Sequence, residues 1–334
     1  MLCWQTSVWF FLPIATAIAF HYECAPYSVR SVCRIEYISY QPGDQISFPA
    51  GYQHYYIKQK SMRVSSFNVT IFDQQLYEAM HRPTGIEMTS TRLEELILPT
   101  ELLLGDFSSN HIETVNTTNG ENFLITYLDL SSNMIRNVDF VSPLVNLEVL
   151  HLGHNSIEAI PGSALSTLTK LKYLYLQSNY YITSIPWSDI PRSIIHLDFD
   201  RDGLTEVVFT NIGLPSLEYL NIRHNELLTI NITELLRAIP NLKEAHLYNS
   251  GLGEEQMRKI YADLTANNIS FTNPFDRCQD DEQYSMTYGD CIKRQEADPF
   301  LTSRLRGVLL SLVVVATALV FVCMVLLVFK HMNR

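Results

Sequence analysis

The sequence predicts an α/β solenoid, a horseshoe of stacked coils with disulfide-bearing caps and one C-terminal transmembrane helix. Three observations predict it. Leu147, Leu150, Leu152, Asn155, Ile157 and Ile160 are spaced L-x-x-L-x-L-x-x-N-x-I-x-x-I. The frame recurs, with its ninth position at Asn110, Asn133, Asn155, Asn179, Asp202 and Asn225, weaker copies at Phe67, Thr91 and Ser250, and successive spacings of 19 to 25 residues. Two close cysteine pairs flank the repeats, and a charge-free apolar run of 22 residues, Val308 to Phe329, stands near the C-terminus.

The spacing is that of a leucine-rich repeat. In each copy the period-2 leucines, such as Leu174 and Leu176, mark a short strand with those side chains inward, while Tyr173 and Tyr175 face outward. A lone coil buries too few aliphatic groups to offset the entropy of ordering its backbone, so it folds only against neighbours, giving a parallel sheet along one face. The ninth-position Asn is expected to bond backbone groups of the turn that follows the strand, groups that stacking takes out of water. Asp202 lacks the amide donor and Ser250 is shorter, so those two turns are expected to be looser.

Taken in order, residues 1–19 read as a signal peptide: Val8 to Phe20 is almost wholly apolar and Ala17-Ile18-Ala19 is a small-x-small cleavage pattern. Residues 20–61 read as a β-rich N-terminal cap holding Cys24 and Cys33, with a turn at Gln41 to Asp44. The repeats occupy 62–252, interrupted by polar loops at Gln74 to Pro83 and Asn116 to Asn122. Residues 253–297 read as a closing helix, with Met257, Ile260, Tyr261 and Leu264 on one face, followed by a cap bearing Cys278 and Cys291. A juxtamembrane stalk (298–307), the span (308–329) and a cytoplasmic tail (330–334) complete the chain; the span is long enough for ~30 Å of hydrocarbon at ~1.5 Å per residue. A solenoid holds its ends far apart, so Cys24 should pair with Cys33 and Cys278 with Cys291. No C-x-x-C argues for zinc.

Composition excludes some functions. A net charge of −11 argues against nucleic acid as a partner, and no H-E-x-x-H, G-x-S-x-G or phosphate-binding glycine loop points to an enzyme or a cofactor. Asp198 to Gly203 resembles the opening of a calcium loop, but its twelfth position is Phe209 where a bidentate Glu is needed. Sequons at Asn68, Asn116, Asn231 and Asn268 mark glycosylation on exposed surface. The frame puts His151, His154, Tyr173, Tyr175, His196, Tyr219, His224, His246 and Tyr248 on the concave face or its rim, a composition suited to binding. Unperturbed, the five histidines would gain charge as pH falls from ~7.5 to ~5.5.

The repeats resemble the extracellular leucine-rich-repeat superfamily. The Leu147–Ile160 motif and its siblings, the short cap around Cys24 and Cys33, the helix leading to Cys278 and the single span make the layout similar to the mosquito leucine-rich-repeat immune proteins, in particular their transmembrane subclass. The resemblance implies recognition of a protein or glycan ligand in innate immunity, alone or alongside another leucine-rich-repeat protein. Pro299 to Gly307 leaves no room for the coiled-coil tail of the secreted members. A cell-adhesion or developmental membrane protein is the alternative with the same architecture. Either way the expected location is the plasma membrane with the ectodomain outside, and five residues of tail hold no signalling domain.

Because Ser303 stands closer to the apolar run than the ~8–12 residue spacer of a glycosylphosphatidylinositol signal, phosphatidylinositol-specific phospholipase C should leave the ectodomain on intact cells. Its release into the medium would replace the span with a lipid anchor.

Overall fold

A computed structural model describes residues 20–25, 31–58, 69–117, 122–249 and 251–272 in full, and the backbone of 284–287 and 290–293. The expected leader, stalk, span and tail lie outside the described residues, as do Phe67, Asn68, Ser250 and Cys278. No helix among the described residues is long and apolar enough to cross a membrane. The chain divides into two compact units, Met1–Thr272 and Asn273–Arg334.

In the first unit the strands are β1 (Phe20–His21), β2 (Val32–Ile35), β3 (Ile46–Ser47), β4 (His54–Lys58), β5 (Ile71–Phe72), β6 (Gly85–Thr89), β7 (Glu95–Ile97), β8 (Leu104–Asp106) and β9 (Thr114–Asn116). They continue with β10 (Tyr127–Asp129), β11 (Val149–His151), β12 (Tyr173–Tyr175), β13 (His196–Asp198), β14 (Tyr219–Asn221) and β15 (Glu244–His246). Four helices join them: α1 (Gln74–Ala79), α2 (Gly162–Ser166), α3 (Ile232–Ala238) and α4 (Glu254–Ala266). Ten strands form one sheet in the order β15-β14-β13-β12-β11-β10-β8-β6-β4-β2, every pairing parallel. Parallel strands need a long return, and each coil supplies it. From β10 to β15 the register advances by one whole repeat, so Leu128, Leu150, Leu174, Leu197, Leu220 and Ala245 line up and are fully buried. Strands β5, β7 and β9 form a second, three-stranded parallel sheet. In the second unit β16 (Tyr284–Thr287) and β17 (Asp290–Lys293) make an antiparallel pair.

The sheet starts earlier than the repeat boundary expected at residue 62, since β2 and β4 belong to it. Their core positions, Cys33, Ile35, Tyr55 and Ile57, are buried like the leucines of later coils. These coils escape the leucine frame because aromatics fill them: Tyr22 stacks on Phe48 at 4.8 Å, and the buried Tyr40 donates its hydroxyl to Asp73 at 2.8 Å. Gln74 to Pro83 is likewise more than a polar loop. Asp73 accepts the Leu76 amide at 2.8 Å as the N-cap of α1, which buries Leu76 and Tyr77.

Both sheet ends are covered. At the β2 edge, Ala25 pairs antiparallel with Arg34, held there by the Cys24–Cys33 disulfide. At the β15 edge, Ser270 accepts from Ala245 and donates to Lys243, while α4 buries Met257, Ile260, Tyr261 and Leu264.

Between the ends runs a ladder of asparagines. Asn133 Nδ2 donates to the carbonyls of Leu130 in its own coil (3.0 Å) and Phe107 in the coil before (3.1 Å), and Oδ1 accepts the Ile112 amide at 3.0 Å. Asn155, Asn179 and Asn225 bond the same way. The residue before each ladder position turns left-handed: Ser109, Ser132, His154, Ser178, Arg201 and His224 have φ between 57° and 65°. In the last coil Asn249 makes ladder bonds. Its Nδ2 donates to Ile222 (3.1 Å) and Leu247 (2.8 Å), and its Oδ1 accepts from Asn225 at 2.7 Å. The turn there is one residue shorter than the leucine frame counts.

Asp202 is the defective rung. Its Oδ1 accepts the Asn179 amide at 2.6 Å, but its Oδ2 is buried without a partner. Burial, reinforced by the charges of Asp198 and Asp200, pushes its pKa up to about 8 against the bond from Asn179. The folded chain thus holds a proton that the unfolded chain releases near ~3.9. Stability from this site is greatest at acid pH and is lost as pH rises toward about 8. Asp202→Asn restores the donor and should raise stability by ~1 kcal/mol at neutral pH. In urea melts from acid to mildly alkaline pH the variant's midpoint should fall less than the parent's; parallel curves would remove Asp202 from the account.

Candidate ligand-binding face

Each three-residue strand from β10 to β15 buries its middle residue and turns the first and third outward. The register therefore builds two outward rows. The first-position row runs Tyr127, Val149, Tyr173, His196, Tyr219, Glu244; the third-position row runs Asp129, His151, Tyr175, Asp198, Asn221, His246.

Strand spacing of ~4.8 Å is close to the distance at which flat rings stack. His151 lies on Tyr175 at 4.2 Å and 2° between planes, and His196 on Tyr219 at 3.9 Å and 3°. Diagonal contacts link these pairs: Tyr127 to His151 at 5.6 Å, Tyr175 to His196 at 4.7 Å and Tyr219 to His246 at 5.4 Å. Tyr, His, Tyr, His, Tyr, His thus alternate in one stripe across six strands, with Tyr173 beside His196 at 6.2 Å. Rings stacked along the sheet spend their faces on each other.

Of the nine residues expected on this surface, six join the stripe: His151, Tyr173, Tyr175, His196, Tyr219 and His246. His224 and Tyr248 meet edge-on at 6.2 Å beyond the strand ends, where His224 Nδ1 lies 2.7 Å from Asp200. His154 is exposed in its turn, and among the described residues no ring contact joins it to the stripe. Tyr127 was not anticipated, although it occupies the same frame position as Tyr173 and comparing first positions repeat by repeat finds it.

Burial changes the histidine chemistry expected from sequence. It pushes His196 down to about 4, overriding the nearby Glu244, and His151 also falls because burial outweighs Asp129 and Asp106. A face gaining five charges between pH ~7.5 and ~5.5 is therefore corrected: His196 stays neutral throughout that window. Burial and then neighbouring carboxylates push Tyr127 and Tyr219 up to about 12. The Asp198 to Asp202 segment makes bonds within the fold. Asp198 accepts the Asp200 amide at 2.9 Å, and Asp200 takes Arg223 at 3.1 Å and His224 at 2.7 Å. Those bonds hold Asp200 below its ordinary range although burial opposes them.

The folded chain protonates His196 only at about pH 4, the unfolded chain near ~6.5. Its contribution to stability is complete above ~6.5 and is lost as pH falls toward about 4. His196→Phe keeps a stacking ring and removes the proton site, so its thermal midpoint should drop less than the parent's between neutral pH and pH ~4.5. An equal drop would show that His196 is not strained by acid.

Residues 145–191 match the family model "Leucine Rich repeats (2 copies)". The chain is 32% identical to podocan of Mus musculus over 156 residues, covering 38% of this chain and 25% of podocan. It is 36% identical to fibromodulin of Oryctolagus cuniculus over 108 residues, covering 32% of this chain and 71% of that one. The leucine-rich repeat domain of APL1B has the same fold, with a TM-score of 0.50 and 18% identity over 78% of this chain and 85% of that one. With a ten-stranded parallel sheet, an asparagine ladder and these relatives, the chain belongs to the leucine-rich-repeat family.

Proposed function

We propose that this protein is a cell-surface recognition protein of innate immunity, anchored in the plasma membrane. It binds a pathogen component or a host protein through the concave face of its repeats. The observation that carries the reading is the continuous Tyr/His stripe, which faces away from the core across six neighbouring strands. Structural need explains the inward leucines and the asparagine ladder; it does not explain an unbroken row of rings on the other side. Large rings with polar edges and few rotamers to freeze suit a binding surface.

Two further observations support it. The sequon residues Asn116, Asn231 and Asn268 are all exposed, and all three lie off the ten-stranded sheet, so glycans on them leave the stripe clear. The Cys24–Cys33 disulfide suits an oxidising, extracytoplasmic compartment. The immune setting rests on the resemblance of the sequence layout to the mosquito leucine-rich-repeat immune proteins; the APL1B domain shares the fold.

Cells displaying the chain should capture labelled microbial surface or haemolymph proteins, and Tyr175→Ala with Tyr219→Ala should cut capture ~10-fold or more while leaving surface expression intact. Capture unchanged in that variant but abolished by Glu158→Ala, which lies off the sheet, would overturn the concave-face reading.

A further inference from the structure

The stripe does not stand on neutral ground. On the β10 side its third-position row continues into carboxylates: Asp129 is in register with Asp106 on β8, and Asp106 with Glu87 on β6. Three acids on three neighbouring strands sit ~4.8 Å apart. Like charges directly opposite cost stability, so the row needs a reason. His54 Nε2 lies 3.0 Å from Glu87 Oε1. Among the described residues no Lys or Arg forms an ion pair with Asp106 or Asp129, and strands β6 to β15 contain no Lys or Arg at all.

A turn-capping role explains part of these side chains. Asp106 Oδ1 accepts the Ser108 amide at 2.9 Å, and Asp129 Oδ1 accepts the Ser131 amide at 2.8 Å. On β14 the same position is Asn221, whose Oδ1 accepts the Arg223 amide at 3.3 Å. An uncharged amide does that job. The cap therefore accounts for one oxygen of each aspartate and leaves the negative charge unexplained.

We infer that the face takes a basic protein segment, seating arginine or lysine side chains on the Glu87–Asp106–Asp129 row with the ring edges of Tyr127 and its stacked neighbours alongside. This rests on the concave-face reading and names its ligand class. His151 with Tyr175 and His196 with Tyr219 spend ring faces on each other, so the half-buried tyrosines of the stripe offer hydroxyl edges beside the acidic row. Guanidinium groups fit such a surface: they donate in several directions and pair with carboxylates in a planar fork. Anionic ligands meet repulsion along the same row.

The test titrates the purified full chain with a fluorescein-labelled alternating Arg-Gly peptide, its Glu-Gly counterpart and labelled heparin, read by anisotropy at low salt. The Arg-Gly peptide alone should bind. Asp106→Asn with Asp129→Asn, which keeps both turn caps, should weaken it ~10-fold or more, whereas Glu113→Gln with Glu158→Gln, off the sheet, should change it less than ~2-fold. No binding of the Arg-Gly peptide, or equal binding by the Asp106/Asp129 variant, overturns the inference. Heparin or Glu-Gly capture that Tyr175→Ala removes would keep the concave face as the site and discard only the basic ligand. Arg-Gly binding lost solely with Glu113 and Glu158 would discard both.

Discussion

The constraint on which this structure depends is the turn after each strand. Stacking coils at one-repeat register takes the carbonyls and amides of that turn out of water, where an unpaired backbone group costs ~1–3 kcal/mol. An asparagine amide answers it with two donor hydrogens and an acceptor in one short side chain. It bonds its own coil and the coil before it, so each rung depends on its neighbour. Left-handed φ at the preceding residue aims the rung inward, and Ser, His and Arg accept that conformation because the ladder over-determines it. Asp202 shows the rule by exception: one atom changed from nitrogen to oxygen leaves a buried polar atom with no partner.

The same register that lines up the leucines also aligns what points the other way. Once strands repeat at one spacing, outward rings at equivalent positions come within stacking reach, as His151 with Tyr175 and His196 with Tyr219 do. Stacking and partial burial then fix their protonation, with His196 held neutral and Tyr127 and Tyr219 held as phenols. The outward face therefore carries rings along the stripe and carboxylates beside it, a pattern that comes from the ladder geometry and not from any single residue.

The fold was legible where leucine and asparagine carry it. From Leu124 onward the spacing marks each strand and which residues face outward. It failed in the first coils, because Tyr22, Tyr40, Phe48 and Tyr55 fill the core there. In the last coil ladder bonds fall on Asn249, one residue ahead of the position the frame marks. The candidate face was legible in direction but not in contact. Period-2 alternation says that His151 and Tyr175 point outward; it does not say that they stack, nor that burial removes histidine charge. Those depend on which strand lies beside which.

Electrostatics separates structural side chains from surplus ones on this face. An aspartate at the third strand position caps its turn with one oxygen, and Asn221 does so without charge. Exchange between the two residue types is therefore nearly free to the turn and changes the charge of the face. Asn stands on β14, Asp on β8, β10 and β13, so the acidic end and the less charged end are set by positions that folding leaves open. Charge placed where the fold is indifferent, in register and unopposed, reflects a demand from outside the fold. That is why the Asp106–Asp129 row speaks to the chemistry of a partner, while the rings speak to the place where it binds.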